Sequence, residues 1–206
     1  MNPRPIFYIP VHGTWAIDEK HTAWWKPTGP FALYAKRNNV LQWENLPPFV
    51  WSSDISGFSY NLQSGNRKHT DWRAGGWSLY YYLSHVPLES RNLVIHSHGL
   101  QVVLYCASFG LEINNMISVC SPIRSDMNEV AETAKFRIRN WLHLYDNKDW
   151  IQFIGQFGDG QFFGSRKSKH ATVNQLIKGA RHSDLLKIGG QMDAWVKHGW
   201  FDFLRQ

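Results

Sequence analysis

The sequence predicts an α/β protein with about six mostly parallel strands flanked by helices. Short apolar runs, of the kind found in strands buried on both faces, alternate along the chain with segments long enough for helices. Polar residues follow the ends of several of these runs, which is where a parallel sheet carries its ligand site. The length of 206 residues suits a single domain spanning residues 1–206.

The first half of the chain contains two predicted strands and two predicted helices. The apolar run over residues 6–11 predicts a strand that ends at the turn residues His12 and Gly13. A loop over 16–30 leads to a short helix at 31–36, and residues 48–51 predict the next strand. The polar, glycine-containing segment 56–70 predicts a loop, and 72–83 has the apolar content of a helix.

The second half is organised around residues 91–107. The run Leu93-Val94-Ile95 predicts a buried strand, and apolar residues at helical spacing follow Gly99. Further elements are predicted as strands at 117–120, 141–145 and 172–177, a helix at 128–139 and an amphipathic closing helix at 192–204. Only one helix fits between Pro122 and Trp141, so no lid domain is expected to be inserted there.

The stretch His96-Ser97-His98-Gly99 leaves almost no residues for a turn between a strand and a helix. Such a sharp turn lifts its middle residue, Ser97, clear of the carboxyl edge of the sheet. The amide of His98, at the start of the helix, then points toward an oxyanion that forms at the serine. This is the geometry of a nucleophile elbow, whose pattern G-x-S-x-G is matched here at its second glycine but not at its first.

Polar residues at later strand ends complete a possible catalytic constellation. A serine hydroxyl is a poor nucleophile near neutral pH and needs an adjacent base, for which His182 is the choice because it follows the last strand. His170 and His198 are its rivals. A carboxylate, Asp146 or Asp149, must hold the other imidazole nitrogen.

Composition excludes several other classes of function. The net charge is +6, but the basic residues are dispersed except for Arg166-Lys167-Ser168-Lys169, so no nucleic-acid partner is expected. No apolar run approaches ~18 residues and no leader segment precedes the first strand, which predicts no membrane span and a cytoplasmic protein. The two cysteines, Cys106 and Cys120, lie in apolar segments and are interpreted as buried thiols.

A metal site is the other use for closely spaced histidines. His96 and His98 could chelate an ion, yet no further ligand lies at a useful spacing nearby, and the elbow turns the two side chains in different directions. Neither a metal nor another cofactor is therefore expected.

The chain resembles the α/β-hydrolase superfamily, in particular its small bacterial and phage lipase/esterase-like members. Five segments at strand ends carry the resemblance in the family's order, and they are residues 11–15, 49–53, 94–99, 145–150 and 180–186. The resemblance implies a serine hydrolase that cleaves a small-molecule or lipid-like carboxylic ester. The catalytic triad it implies is Ser97, Asp149 and His182, with Asp149 fitting the family position better than Asp146.

The resemblance also implies roles for residues around the triad. The two oxyanion donors would be the backbone amide of His98 and that of Thr14 or Trp15, while Gly13 and Trp150 would contact substrate. Two positions depart from the family pattern, since Ile95 stands where a small residue is usual and Leu100 replaces a frequent glycine.

Other interpretations compete with an esterase. The same triad could serve an acyltransferase or thioesterase, because water and another acceptor compete for one acyl-enzyme. Ile95 favours a third interpretation, a non-catalytic binding protein on the same fold. Nucleic-acid binding through the basic loop is a fourth, and it would show strongly salt-dependent affinity.

Overall fold

The described residues form one sheet of six parallel strands, in the order β2-β1-β3-β4-β5-β6. The computed structural model describes residues 5–13, 23–43, 49–51, 65–149, 166–187 and 189–206, with the backbone alone at 65–69. Within these ranges the strands are β1 (Ile6–Val11), β2 (Val40–Gln42), β3 (Asn92–His96), β4 (Ile113–Val119), β5 (Ile138–Tyr145) and β6 (Val173–Leu176). The helices are α1 (Pro30–Arg37), α2 (Gly65–Ser84), α3 (Gly99–Ser108), α4 (Asn128–Ala134), α5 (Ala194–Lys197) and α6 (Trp200–Phe203). The predicted α/β class with about six mostly parallel strands is confirmed.

Apolar side chains cover both faces of the sheet. Leu93 and Ile95 of β3 pack on one face with residues of α2, α3 and α4. Val94, between them, packs on the other face with residues of α1, α5 and α6. Successive side chains of a strand point to opposite faces, so a strand between two helical layers must be apolar throughout. This is why the middle of β3, Leu93 to Ile95, is a continuous apolar run.

The order of the strands brings the ends of β1 and β3 together. β1 pairs with β2 on one side and with β3 on the other, and Val11 is in register with Ile95. The chain therefore reverses its direction across the sheet at β1. Ligand crevices of open parallel sheets form at such a switch point, outside the carboxyl ends of the strands. His12 and Gly13 follow β1, and Ser97 follows β3, so both segments lie at this switch point.

The strand predicted at 48–51 is wrong. Residues 49–51 are described and form no strand, whereas the position beside β1 is taken by β2. Phe49 is nevertheless buried in the core, and the Trp51 indole donates a hydrogen bond to the His12 carbonyl oxygen at 2.7 Å. An apolar run this short has too few residues for its periodicity to separate a strand from an irregular core segment.

Three helices differ from their predicted bounds. α2 begins at Gly65, so the last part of the loop predicted over 56–70 is helical. α4 ends at Ala134 rather than at residue 139, because a 3-10 turn leads into β5. The closing helix is two short helices, α5 and α6, separated by Gly199 at a φ of 67°. A left-handed residue ends a helix because it redirects the next amide groups away from the helical ladder.

The segment between β4 and β5 is short, as the sequence predicts. It contains α4 and the two flanking 3-10 turns Ser125–Met127 and Lys135–Arg137. No lid domain is inserted between these two strands. None of the helices in the described ranges is long and apolar enough to cross a membrane.

Candidate active site

Ser97 occupies the turn between β3 and α3 in a left-handed conformation. Its φ is 53°, the residue is 7% exposed, and its amide donates a hydrogen bond to the Val119 carbonyl oxygen at 3.2 Å. A non-glycine residue at positive φ costs on the order of 1–3 kcal/mol and persists where its surroundings hold it. Ile95, two residues earlier, is completely buried in the core, so the sharp turn forms with a β-branched residue at that position.

The loop after β1 lies directly against this turn. A Cβ atom placed on Gly13 would be 2.6 Å from the Ser97 Cβ and 3.2 Å from its Oγ. A Cβ on Gly99 would be 2.7 Å from the His12 carbonyl oxygen. The distances of 2.6 Å at Gly13 and 2.7 Å at Gly99 are shorter than van der Waals contact, so a side chain at either position would displace a neighbouring atom. The two glycines allow the end of β1 to touch both the serine and the start of α3.

His12 holds the Gly13 carbonyl in place. Its Nδ1 donates to the Gly13 carbonyl oxygen at 2.7 Å, while its Nε2 accepts from the Trp51 amide at 3.4 Å. The ring packs against Trp25 and Trp51, with centroids 5.0 and 5.9 Å away. Burial lowers the pKa of His12 to about 4, so the imidazole is neutral near pH 7. A neutral ring with one donor and one acceptor fits both partners.

His182 is paired with Asp149. The His182 Nδ1 lies 2.9 Å from the Asp149 Oδ2, and the two side chains are 8% and 1% exposed. Because a carboxylate accepts, the proton of a neutral imidazole is on Nδ1, and Nε2 on the opposite side of the ring is the basic atom. Asp146 is used differently, since its Oδ1 accepts from the Lys148 amide at 3.0 Å and stabilises the turn after β5.

Two further residues support the Asp149 loop. The buried Cys120 thiol donates a hydrogen bond to the Asp149 carboxylate, and burial together with that negative charge raises the pKa of the thiol well above its usual value. The thiol therefore keeps its proton and remains a donor. The Arg166 guanidinium donates to the carbonyl oxygen of Asp146 at 3.0 Å and to that of Asp149.

The two histidines beside Ser97 face different parts of the protein. The His96 Nε2 donates to the His182 carbonyl oxygen at 2.9 Å, and the two rings are 4.6 Å apart. The His98 ring instead stacks on Trp72 with centroids 5.6 Å apart. Within the described ranges, no group of three or more His, Cys, Asp and Glu side chains is placed to hold a metal ion.

Five of the predicted site residues are described, and they lie at one edge of the sheet. Gly13 contacts Ser97, His98 directly precedes α3 as its N-cap residue, and His182 is hydrogen-bonded to Asp149. Thr14, Trp15 and Trp150 lie outside the described residues. The rival histidines have other neighbours. His170 lies 3.6 Å from Glu132, and His198 stacks on Trp200 at 5.3 Å.

Two solved structures are among those that match this chain. A predicted CIB-like hydrolase from Thermoplasma acidophilum matches with a TM-score of 0.56 at 11% identity, over 100% of this chain and 89% of that chain. The chain has an α/β-hydrolase fold. TT1662 from Thermus thermophilus matches with a TM-score of 0.46 at 14% identity, over 100% of this chain and 91% of that chain. No protein-family model and no curated protein matches the sequence.

In this α/β-hydrolase fold, sequence reasoning missed the residues that hold the His182–Asp149 pair. Arg166 belongs to a basic run for which the sequence predicts no part in the site, yet its guanidinium binds the backbone carbonyls of Asp146 and Asp149. Cys120 was interpreted only as a buried thiol. Its place directly after β4, at the same sheet edge as Ser97, was the available signal. His96 had a similar signal in its position next to Ser97.

Proposed function

We propose that the protein is a serine hydrolase that cleaves a carboxylic ester through an acyl-enzyme on Ser97. The observation that carries this proposal is the 2.9 Å hydrogen bond between the His182 Nδ1 and the Asp149 Oδ2, at the sheet edge where Ser97 occupies the left-handed turn between β3 and α3. Such a turn is the conformation that a nucleophile elbow requires. The α/β-hydrolase fold, shared with a protein named as a hydrolase, agrees with this chemistry.

In the first half of the proposed reaction, the Ser97 Oγ attacks the carbonyl carbon of the ester. The His182 Nε2 takes the serine proton, and the Asp149 carboxylate stabilises the resulting imidazolium through Nδ1. When the tetrahedral intermediate collapses, the bond to the alcohol breaks and Nε2 returns the proton to the departing oxygen. In the second half, water attacks the acyl-enzyme and gives a proton to Nε2. The acid then leaves as this proton returns to the Ser97 Oγ.

The oxyanion needs donors placed before the reaction begins, each worth ~3 kcal/mol in mutational terms. The proposed first donor is the His98 amide, at the N-terminus of the ten-residue helix α3. The proposed second donor is the amide of Thr14 or Trp15. The contact between Gly13 and Ser97 supports this choice, because it puts the chain leading to these residues beside the nucleophile.

The test is covalent labelling with a fluorescent fluorophosphonate, paired with turnover of a short-chain p-nitrophenyl ester. Wild type is expected to be labelled, Ser97→Ala to remain unlabelled, and both Ser97→Ala and His182→Ala to lose turnover. Ser108→Ala, at the far end of α3, is the matched serine control and should be labelled normally. A folded wild-type protein that is neither labelled nor active would exclude the hydrolase and favour a binding protein.

A Gly13→Ala variant tests whether the segment after β1, which leads to the proposed donors Thr14 and Trp15, must lie close to Ser97. The added methyl group would lie 2.6 Å from the Ser97 Cβ and push the loop or the serine out of position. A displacement of about 1 Å at a reacting centre can reduce the rate ~100-fold, so a loss of this order in kcat is expected.

The control for Gly13→Ala is Gly110→Ala. Gly110 has a φ of 104° with open space around its Cβ position, so alanine there strains the backbone beyond the end of α3. It should lower the thermal midpoint without lowering kcat. Equal kcat values for Gly13→Ala and wild type would show that the β1 loop does not position the reacting groups.

A further inference from the structure

His96 connects the strand that carries the nucleophile to the loop that carries the proposed base. It is the last residue of β3, directly before Ser97, and its Nε2 donates to the backbone carbonyl oxygen of His182 at 2.9 Å. The two residues are 86 positions apart in the chain. This bond is therefore a tertiary contact between the elbow and the loop after β6.

We infer that His96 is a positioning residue for the reaction, fixing the backbone of His182 relative to Ser97. The inference rests on the proposed function, since it assigns the contact a role in proton transfer between these two residues. His96 itself touches neither the reacting atoms nor their proton in this scheme. It acts through the main chain of the base.

The contact is suited to this task because it holds the part of His182 that Asp149 does not. Asp149 binds the imidazole at Nδ1 and sets the orientation of the ring, while His96 binds the main chain and sets the origin of the side chain. The two imidazole rings also pack against each other, with centroids 4.6 Å apart. Together these contacts restrict the position of Nε2, the atom that must reach the Ser97 Oγ.

The donor is buried and stays uncharged. His96 is 9% exposed, and burial together with neighbouring His182 lowers its pKa to about 3. His12 lowers the pKa further, whereas Asp149 and the bond to the His182 carbonyl act in the opposite direction. A carbonyl oxygen can only accept, so the His96 proton is on Nε2 throughout the pH range in which His182 would work.

The experiment compares His96→Leu with His96→Gln. Leucine fills similar volume without a donor, whereas the glutamine Nε2 can donate from about the same distance along the side chain. His96→Leu is expected to lower kcat and the rate constant of fluorophosphonate labelling ~100-fold while KM changes little, because a misplaced base affects the chemical step. His96→Gln should restore most of this loss.

Stability measurements separate positioning from simple loss of fold. Each variant is compared by its thermal midpoint and by the downfield proton resonance of the His182–Asp149 hydrogen bond, which should broaden or shift in His96→Leu and return in His96→Gln. Should His96→Leu fail to fold, His96→Asn replaces it, since asparagine is polar but too short to reach the His182 carbonyl.

The possible results distinguish the two proposals. A wild type that is not labelled would end the proposed function and this inference together. If wild type is labelled and His96→Leu is labelled and turns over ester equally fast, only the role of His96 would be overturned. Equal losses in the leucine and glutamine variants, accompanied by equal falls in thermal midpoint, would also overturn it, because they would indicate a structural role alone.

Discussion

An Asp149→Asn variant is expected to lose about 10⁴-fold in kcat while keeping its fold. Asparagine is nearly the same shape as aspartate, but its amide group can donate to the His182 Nδ1. The imidazole would then carry its proton on Nε2 and could not accept the Ser97 proton. Loss of the charge would also remove the stabilisation of the imidazolium. The measurement is ester turnover, with circular dichroism to verify the fold.

Asp146→Asn is the matched control for this prediction. The Asp146 Oδ1 accepts from the Lys148 amide, and the asparagine oxygen can accept the same hydrogen bond. Its kcat should therefore stay close to that of wild type. A larger loss in Asp146→Asn than in Asp149→Asn would reverse the assignment of the acid.

The free energy of unfolding is expected to fall steeply as the pH drops below 6.5. Burial lowers the pKa of His12 to about 4, of His96 to about 3 and of His143 to about 4, from an ordinary value of 6.5. At pH values between about 4 and 6.5, these three side chains together bind up to about three more protons in the unfolded chain than in the folded one, so their contribution to stability rises with pH there and is lost on acidification. Three protons correspond to about 4 kcal/mol per pH unit, against a typical total stability of about 5–15 kcal/mol.

Urea unfolding at a series of pH values between about 7.5 and about 5 measures this slope. His143→Gln is a useful variant because it removes one of these three buried rings. In the folded protein, the His143 Nδ1 lies 2.7 Å from the Ser118 Oγ, and its Nε2 lies 2.9 Å from the Arg166 carbonyl oxygen. The variant should be less stable at neutral pH but lose stability with about two thirds of the wild-type slope. A free energy of unfolding that is constant over this range would contradict the assignment of neutral buried histidines.

The fold was predictable because its strongest signals are local. The middle of β3, Leu93 to Ile95, is a continuous apolar run, and α3 begins at a glycine and has apolar residues at helical spacing. The errors fall where a local pattern has competing solutions. Residues 49–51 are apolar enough for a strand, but they form an irregular segment. Phe49 packs in the core, and Trp51 donates a hydrogen bond to the His12 carbonyl oxygen. The amphipathic pattern of residues 192–204 predicts one closing helix, yet Gly199 within it adopts a positive φ and divides it into two.

The candidate site was predictable where one residue type and one position determine the chemistry. Ser97 lies in a turn too short for other arrangements, and His182 follows the last strand. The contacts that hold the Asp149–His182 pair depend on loops that meet only after folding, so no spacing in the sequence encodes them. The bonds from His96 to the His182 carbonyl and from Arg166 to the Asp149 carbonyl are of this kind, since backbone acceptors leave no trace in residue identity.

The burial of Cys120 gives the protein an internal reporter of its own opening. A protonated thiol is a weak nucleophile, and this one is completely buried and hydrogen-bonded to Asp149, so we expect alkylation to require local opening of the protein. Cys106, in α3, is equally buried but belongs to the core on the opposite face of the sheet. The rate of thiol modification at Cys120 should therefore report local unfolding around Asp149. The rate of modification at Cys106 should report unfolding of the helices that pack on the other face of the sheet. The two natural cysteines can thus time separate parts of the unfolding process without any introduced label.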